Sequence, residues 1–494
     1  MSETEGYSGK KFFHGIDLLR AGFPLLVFVF FLALSAQPHL ALHVPELIGY
    51  AALLTILSAA AVFAGERKGM GWSAGFILVL AALVRLLFLF QSPELSDDIF
   101  RYLLDGMMLL DGANPYAAAP DAVSSANPAV SAIVALVNHG HMPTIYPPAA
   151  QMIFAAGALI GGTLGMKLVL VLMDLAACFL IIRLLKQLDL PTSRAVLYAW
   201  HPLPVIEIAA SGHIDAAAVC FLILAIVMML QGIRISQQGS ADINAAKRFA
   251  GWKEIIIVFT AGVGFAAAVL VKWIPLLFLP GILLLLIRSR IRIGICWIAG
   301  GATAAFGLTA PFWPEIQNSY ATLSVYLVHW EFSGFAFRLL REIAGAGQTA
   351  RLILAAYGAI AVGIIYARLF FLDFTSRSND PSAAPDQAQR ARRVLNACYA
   401  ASFAWLLLTP TLHPWYALYL VCFFPFSPGP AGIALSWSVL LAYRVLIYYH
   451  PTGIWMEDDI TPLLIVAAPA AAWSIHRLIT WRTPRIVHSY PPGK

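Results

Sequence analysis

The stretch AGFILVLAALVRLLFLFQSPELSDDIFRYLLDG, residues 74–106, decides how the rest of the chain is read. Its first half is an apolar run long enough to cross the hydrocarbon core of a bilayer, interrupted only by Arg85. Its second half turns polar at once, through Glu94, Asp97, Asp98 and Arg101. A span that runs straight into carboxylates marks a membrane boundary, where an ionisable group needs a reason to sit beside lipid.

The composition agrees with that stretch. The chain has 494 residues, 60% of them hydrophobic and 12% charged. A soluble protein carries about a quarter charged residues, so a soluble multidomain enzyme and a disordered protein are excluded. The net charge of +6 does not make a nucleic-acid binder unless the basic residues share one surface. What remains is an all-α polytopic integral membrane protein. Apolar runs at 18–36, 46–64, 72–90, 166–185, 195–209, 213–232, 254–271, 273–288, 293–312, 350–371, 393–409, 415–427, 431–449 and 460–479 predict about fourteen transmembrane helices. Those at 195–209 and 415–427 are short and carry Pro202, Pro204, Pro414 and Pro425 at or near an end, so kinked or partial helices are expected.

Lys and Arg concentrate in the loops on one side, which places both termini in the cytoplasm. The first run follows Lys10 and Lys11 like a signal peptide, but it is longer than a signal core and another span follows directly. Residues 147–165 could form a further crossing. That would put the basic 183–194 loop outside, and the apolar part is short and Gly-rich, so a re-entrant or interfacial helix on the outer face is expected. The five cysteines fall inside spans and read as apolar packing residues with no structural disulfide. There is no internal repeat of the kind that marks many transporters, and 375–390 reads as a cytoplasmic linker. Three regions follow: an N-terminal tail with two spans (1–71), a core with a long first outer loop at 91–165 (72–425), and C-terminal spans with a tail (426–494).

Long ordered loops tend to be functional. Residues 98–110 read as a short helix ended by Gly112, with Asp98, Arg101, Tyr102 and Asp105 on one face, so that Arg101 can pair with both carboxylates. Asp97 lies at the helix entry, where an ordinary N-cap is the bland explanation. Other polar groups gather on the same predicted face: Ser211-Gly212-His213-Ile214-Asp215, Lys272, His329-Trp330-Glu331, Arg338, Arg341, His413-Pro414-Trp415-Tyr416 and the acidic trio 457–459. Each has a plain reading: snorkelling for Lys272, loop hydrogen bonds for His213 and His413, a solvated turn with a helix cap for the trio, and the aromatic belt for Trp and Tyr. Together they collect carboxylate, imidazole and cation beside one loop. No metal-ligand spacing occurs and no glycine-rich nucleotide loop, so neither a metal nor a nucleotide is assigned.

The run Ser96-Asp97-Asp98-Ile99-Phe100-Arg101-Tyr102, with Asp105-Gly106, Gly112 and Asn114-Pro115-Tyr116, resembles the first-loop signature of bacterial GT-C mannosyltransferase-like proteins. Tyr146-Pro147-Pro148 with Gln151, Trp200-His201-Pro202, Ser211-Gly212-His213 with Asp215, Lys272 with Pro275, and His413-Pro414-Trp415-Tyr416 fit the same pattern over roughly residues 72–425. The family usually has Asn where this chain has His201 and Ile214. The resemblance implies a GT-C fold in a bacterial inner membrane, and a polyprenyl-phosphate-linked sugar donor, commonly mannose. It also implies a glycan, lipid or protein acceptor on the extracytoplasmic face and a carboxylate base at the start of the first outer loop.

Elementary chemistry fits that implication. One carboxylate takes the acceptor hydroxyl's proton. The leaving lipid phosphate departs as an anion and needs cations. A single base without a carboxylate nucleophile implies inversion. Asp97 is the first choice of base and Asp98 the second; the helix N-terminus lowers the pKa of Asp97 and Asp98 raises it. Lys272, Arg338, Arg341 and His413 are the candidates for the phosphate. Tyr146, Trp330 and Trp415 are candidates for sugar stacking or lipid contact, and Arg101, His213, Asp215 and Tyr416 are further substrate-side residues. The rival classes are a secondary transporter or lipid flippase and a non-catalytic envelope scaffold.

Overall fold

The computed structural model describes residues 5–68, 71–123, 127–238, 246–287, 289–379 and 386–482. Among these the chain is helical throughout; the only β contacts are isolated bridges of Phe332 and Ser333 to Thr411. Every apolar run of the sequence falls on a helix or an interrupted helical segment. Among the described residues, eight helices are long and apolar enough to cross a membrane: Val44–Glu66, Gly162–Gln187, Asp215–Gln237, Gly251–Val271, Ile291–Phe312, Gly347–Leu372, Pro430–Thr452 and Ile460–Trp481. The chain is thus an integral multi-pass membrane protein.

The difference from about fourteen has a physical origin. Arg20–Ser35, Ala74–Leu89 and Ile274–Ile287 are apolar but shorter. Gln387–Leu408 begins in polar, basic sequence. The runs at 195–209 and 415–427 are broken where proline removes a backbone donor: Pro202 and Pro204 directly precede a π-helical turn at Val205–Ala210, and Pro414 opens a 3-10 turn at Pro414–Ala417. Of the 375–390 linker, residues 380–385 lie outside the described residues, as do the basic residues Arg288, Arg485 and Lys494. All five cysteines are free thiols, four of them buried.

Broken helices leave backbone groups that lipid cannot satisfy, so side chains must. Arg85 Nη1 donates to Ala199 O at 2.8 Å, and Ser58 Oγ donates to Trp200 O at 3.0 Å. Arg85 is fully buried and also pairs with Asp174 at 2.5 Å, which accepts from the Tyr198 hydroxyl at 2.6 Å. Lys167 donates to Phe88 O and Gln91 O at 2.8 and 2.7 Å, tying off the C-terminal end of the Ala74–Leu89 helix where the polar loop begins.

The first loop is ordered by its own short helices. Asp98–Leu110 is a helix, as the spacing predicts, and it packs on Pro148–Ile160. The approach is close enough that a Cβ on Gly106 would lie 2.2 Å from Phe154 O. Pro147-Pro148 opens the second helix, and Gly161 and Gly162, both at positive φ, turn it into Gly162–Gln187. The Pro148–Ile160 helix has 13 residues, too few to cross a membrane by itself.

Candidate active site

The loop signature first builds a scaffold. The side-chain oxygen of Asn114 accepts from Tyr116 N at 3.1 Å, while its amide donates to Glu315 at 3.1 Å. The Tyr116 hydroxyl donates to Tyr146 O at 2.7 Å. Arg101 Nε pairs with Asp105 at 2.9 Å, and Gln151 Nε2 bridges Asp105 and Tyr146 O at 3.2 and 3.3 Å. These residues hold Tyr146 in place. Arg101 pairs with Asp105 alone, because its second partner is Met142 O at 3.0 Å; the expected pairing with Asp98 does not form.

Asp98 is instead oriented by phenols. Its Oδ2 accepts from the hydroxyls of Tyr146 at 3.1 Å and Tyr102 at 3.4 Å. The two rings meet edge to face, and Tyr102 stacks on Phe154 at 4.5 Å. Asp97 is different. It occupies the N-cap position, but its backbone is α-like (φ −91°, ψ −4°) rather than extended, and its side chain makes no capping bond. Ser96 Oγ accepts the Asp98 N–H at 3.3 Å in its place. The plain capping explanation for Asp97 therefore fails. Its carboxyl pKa is raised above 3.8 by partial burial and next by the charge of Asp98, against a smaller lowering from His450.

Asp97 and Asp98 open into a cavity of about 980 Å³. Of the residues singled out in the sequence, Asp97, Asp98, Arg101, Tyr146, Lys272, Trp330, His413, Trp415 and Tyr416 line it. Lys272 sits where the helix ending at Val271 breaks before a 3-10 turn at Ile274–Phe278. Its ammonium pairs with both oxygens of fully buried Asp215, at 2.7 and 3.0 Å, and lies 5.0 Å from the Tyr416 ring centroid. The Tyr416 and Tyr326 hydroxyls are 2.7 Å apart. Asp215 and His213 thus stand behind the wall, Asp215 holding Lys272 and His213 stacking on Trp415 at 4.0 Å. Gly212, at φ +81°, makes the turn just before them; a Cβ there would meet Ile99 at 2.7 Å.

His413 lies between Trp415 and Phe332, at 4.3 and 4.9 Å. Burial, helped by Lys272 and His213, lowers its pKa to about 3, so it meets a ligand as a neutral imidazole and not as a cation for phosphate. Arg338 and Arg341 are not brought to the cavity. They line a neighbouring pocket of about 120 Å³. Arg338 pairs with Glu457 at 2.5 Å and Asp459 at 3.2 Å, and Arg341 with Glu331 at 2.6 Å. Asp458 caps the last helix through Ile460 N and Thr461 N, at 3.0 and 2.6 Å, the plain role expected of the acidic trio.

The sequence reading missed several residues of the wall: Arg351, Tyr326, His450 and Tyr443 line the cavity. Behind Tyr443 lies Glu207, fully buried. A lone glutamate inside the apolar run 195–209 was a usable signal, since ionisable residues within spans are functional by default. Among the described residues, no group of three or more His, Cys, Asp or Glu side chains is assembled for a metal ion.

The sequence profile described as alpha-(1->6)-mannopyranosyltransferase, N-terminal domain, matches residues 29–288. Among solved structures the chain is similar to the Archaeoglobus fulgidus oligosaccharyltransferase tethered with an acceptor peptide containing the NVT sequon, at 10% identity and a TM-score of 0.41, over 83% of this chain and 54% of that one. It is similar also to the archaeal oligosaccharyltransferase AglB from Archaeoglobus fulgidus in complex with an inhibitory peptide and a dolichol-phosphate, at 13% identity and a TM-score of 0.41, over 83% of this chain and 58% of that one. The chain spans little more than half the length of these two. No curated protein matches the sequence.

Proposed function

The chain belongs to the alpha-(1->6)-mannopyranosyltransferase family, and from that premise we propose that it moves a hexose, mannose by the family's name, from a polyprenyl-phosphate-linked donor to an acceptor hydroxyl. The transfer takes place on the extracytoplasmic face of a bacterial inner membrane and inverts the anomeric centre. The observation that carries the reading is one cavity lined by a carboxylate without a capping bond, Asp97, and by an ammonium fixed from behind, Lys272 on Asp215.

Asp97 takes the proton of the attacking hydroxyl as the new glycosidic C–O bond forms. Burial and the neighbouring Asp98 raise its pKa, which makes the carboxylate a better proton acceptor. The bond from the anomeric carbon to the phosphate oxygen breaks, and its electron pair leaves with the phosphate, whose charge Lys272 balances. Asp98, tied to Tyr146 and Tyr102, orients the acceptor side. The wall that includes Trp273, Ile274, Leu277, Leu323, Leu327 and Trp405 is apolar and suits a prenyl chain.

The test is to supply the purified protein with polyprenyl-phosphate-mannose and (1→6)-linked mannobiose and to determine the product's length, linkage and anomeric configuration. A retained β-configuration from a β-linked donor would overturn inversion. Movement of the lipid across a vesicle without bond cleavage would overturn the transferase reading.

A further inference from the structure

We propose that Tyr443, polarised by the buried Glu207, is the residue of this cavity that accepts a hydrogen bond from one hydroxyl of the bound sugar. The inference rests on the reading of the cavity as a sugar site. It assigns a recognition role to two residues outside the proposed proton and phosphate chemistry.

The Tyr443 hydroxyl lies 2.8 and 3.1 Å from the two carboxylate oxygens of Glu207. A carboxylate only accepts, so the phenol's single hydrogen points at Glu207 and away from the cavity. Tyr443 lines the cavity, and what its oxygen has left to offer a ligand is a lone pair. The polarity is held from behind. His213 Nδ1 lies 3.0 Å from Glu207 O and 3.1 Å from Glu207 Oε2, so its ring nitrogen donates on that side. Glu207 itself is placed by the π-helical turn Val205–Ala210, a form of backbone frequent at functional sites. A fully buried carboxylate is costly unless its acceptors are filled, and here they are filled by Tyr443 and His213.

An acceptor fixed in this way recognises a group that donates, which a sugar hydroxyl does and a phosphate or a lipid carbonyl does not. Tyr146 follows the same rule, since its hydroxyl is given to Asp98. Tyr443 differs in standing apart from the two aspartates in the chain and being polarised by a carboxylate that does not line the cavity.

The experiment compares wild type with Tyr443→Phe by direct binding, using two probes: (1→6)-linked mannobiose for the acceptor and methyl β-mannosyl phosphate for the donor. Each is used with its monodeoxy and monodeoxyfluoro analogues. In wild type, one deoxy analogue of one probe should bind roughly 3- to 10-fold more weakly than the parent, the size of one neutral hydrogen bond. Its fluoro counterpart, which cannot donate, should be equally weak. In Tyr443→Phe the parent should fall to the level of that analogue and the discrimination should vanish. Glu207→Gln places an N–H toward the phenol and frees its hydrogen, so the fluoro analogue should regain binding while the deoxy analogue does not. A Tyr443→Phe protein that keeps every discrimination with both probes overturns the inference, whatever its melting temperature does. Wild type that binds neither probe and transfers no mannose overturns the underlying sugar-site reading as well; transfer by wild type with unchanged discrimination in the variant overturns the inference alone.

Discussion

Asp97 can be separated from a structural role because two substitutions at it test different things. Asp97→Asn removes the charge and keeps the shape; asparagine caps a helix about as well as aspartate, so its effect on folding is small under either explanation. Asp97→Ala removes any cap, and a lost cap costs about 1 kcal/mol. The structure has no such bond to lose, since Ser96 receives the Asp98 N–H and the Asp97 backbone is α-like. Asp97→Ala should therefore change stability by less than about 0.5 kcal/mol. The sign is worked from the raised pKa: burial and Asp98 disfavour the anion in the folded protein, so above its folded pKa the ionised group opposes folding, and removing it leaves stability at pH 7 unchanged or slightly higher. Activity should respond oppositely. Loss of a general base costs about 10²- to 10⁴-fold, or roughly 3 to 5.5 kcal/mol of barrier. The assay is single-turnover transfer of labelled mannose in detergent, with unfolding followed on the same preparations. Asp97→Asn that retains more than about a tenth of wild-type kcat/KM would refute the base assignment. Asp97→Ala that loses a full ~1 kcal/mol with little change in rate would restore the capping explanation.

The neighbouring carboxylate gives a pH prediction. Asp98→Asn removes the negative charge that helps raise the pKa of Asp97, so the acidic limb of the kcat/KM profile should move to lower pH; an unmoved limb would mean that another group sets it. Lys272→Met leaves Asp215 buried and unpaired and should destabilise by about 1 to 3 kcal/mol, below the range for a fully buried pair because the ammonium is partly open to the cavity. Adding Asp215→Asn should recover much of that stability without recovering transfer, as chemical denaturation and activity on the double variant would show. Arg338→Ala and Arg341→Ala should leave KM for the lipid donor within about twofold, since both residues pair with carboxylates in the smaller pocket. A tenfold rise in KM would place them on the phosphate after all.

Periodicity and hydropathy made the helices legible, and spacing alone gave the Asp98–Leu110 helix and the Arg101–Asp105 pair, but it also paired Arg101 with Asp98, which is taken by Tyr146 and Tyr102 instead. Membership of the cavity wall was legible where a motif carried it, as at Tyr146, Lys272 and His413. Pairing was not. Arg338 and Arg341 read as cations on the right face, and only the fold shows that Glu457 and Glu331 have claimed them. Hydrogen-bond partners more than a hundred positions apart, such as Tyr443 and Glu207, leave no local trace. In sequence Tyr443 is one more aromatic inside the apolar run 431–449.

The rarity of charge explains why so many ionisable side chains lie at the site. A continuous helix in a membrane satisfies its own backbone; a broken one does not, and each break needs a donor or acceptor from elsewhere. Arg85 answers Ala199 O at the break before Pro202, and Lys167 answers Phe88 O and Gln91 O at the end of a short helix. Ser402 answers Tyr419 O in the interrupted segment after Pro414. The cavity is bounded by the same kind of interruption: Lys272 sits at one break, Trp415 and Tyr416 at another, and Glu207 lies behind the wall in the π-helical turn. Breaking a helix bends the chain to make room for a polar cavity and, by the same act, brings the polar groups that hold the bend up to that cavity. A residue such as Arg85 is thereby a structural ion, since it is fully buried, bonded to Asp174 and to two backbone carbonyls, and does not line the cavity. Lys272 differs because one side of its ammonium remains open to the cavity after Asp215 is satisfied. That residual openness, and not the presence of charge, is what separates a site residue from a structural one in this fold.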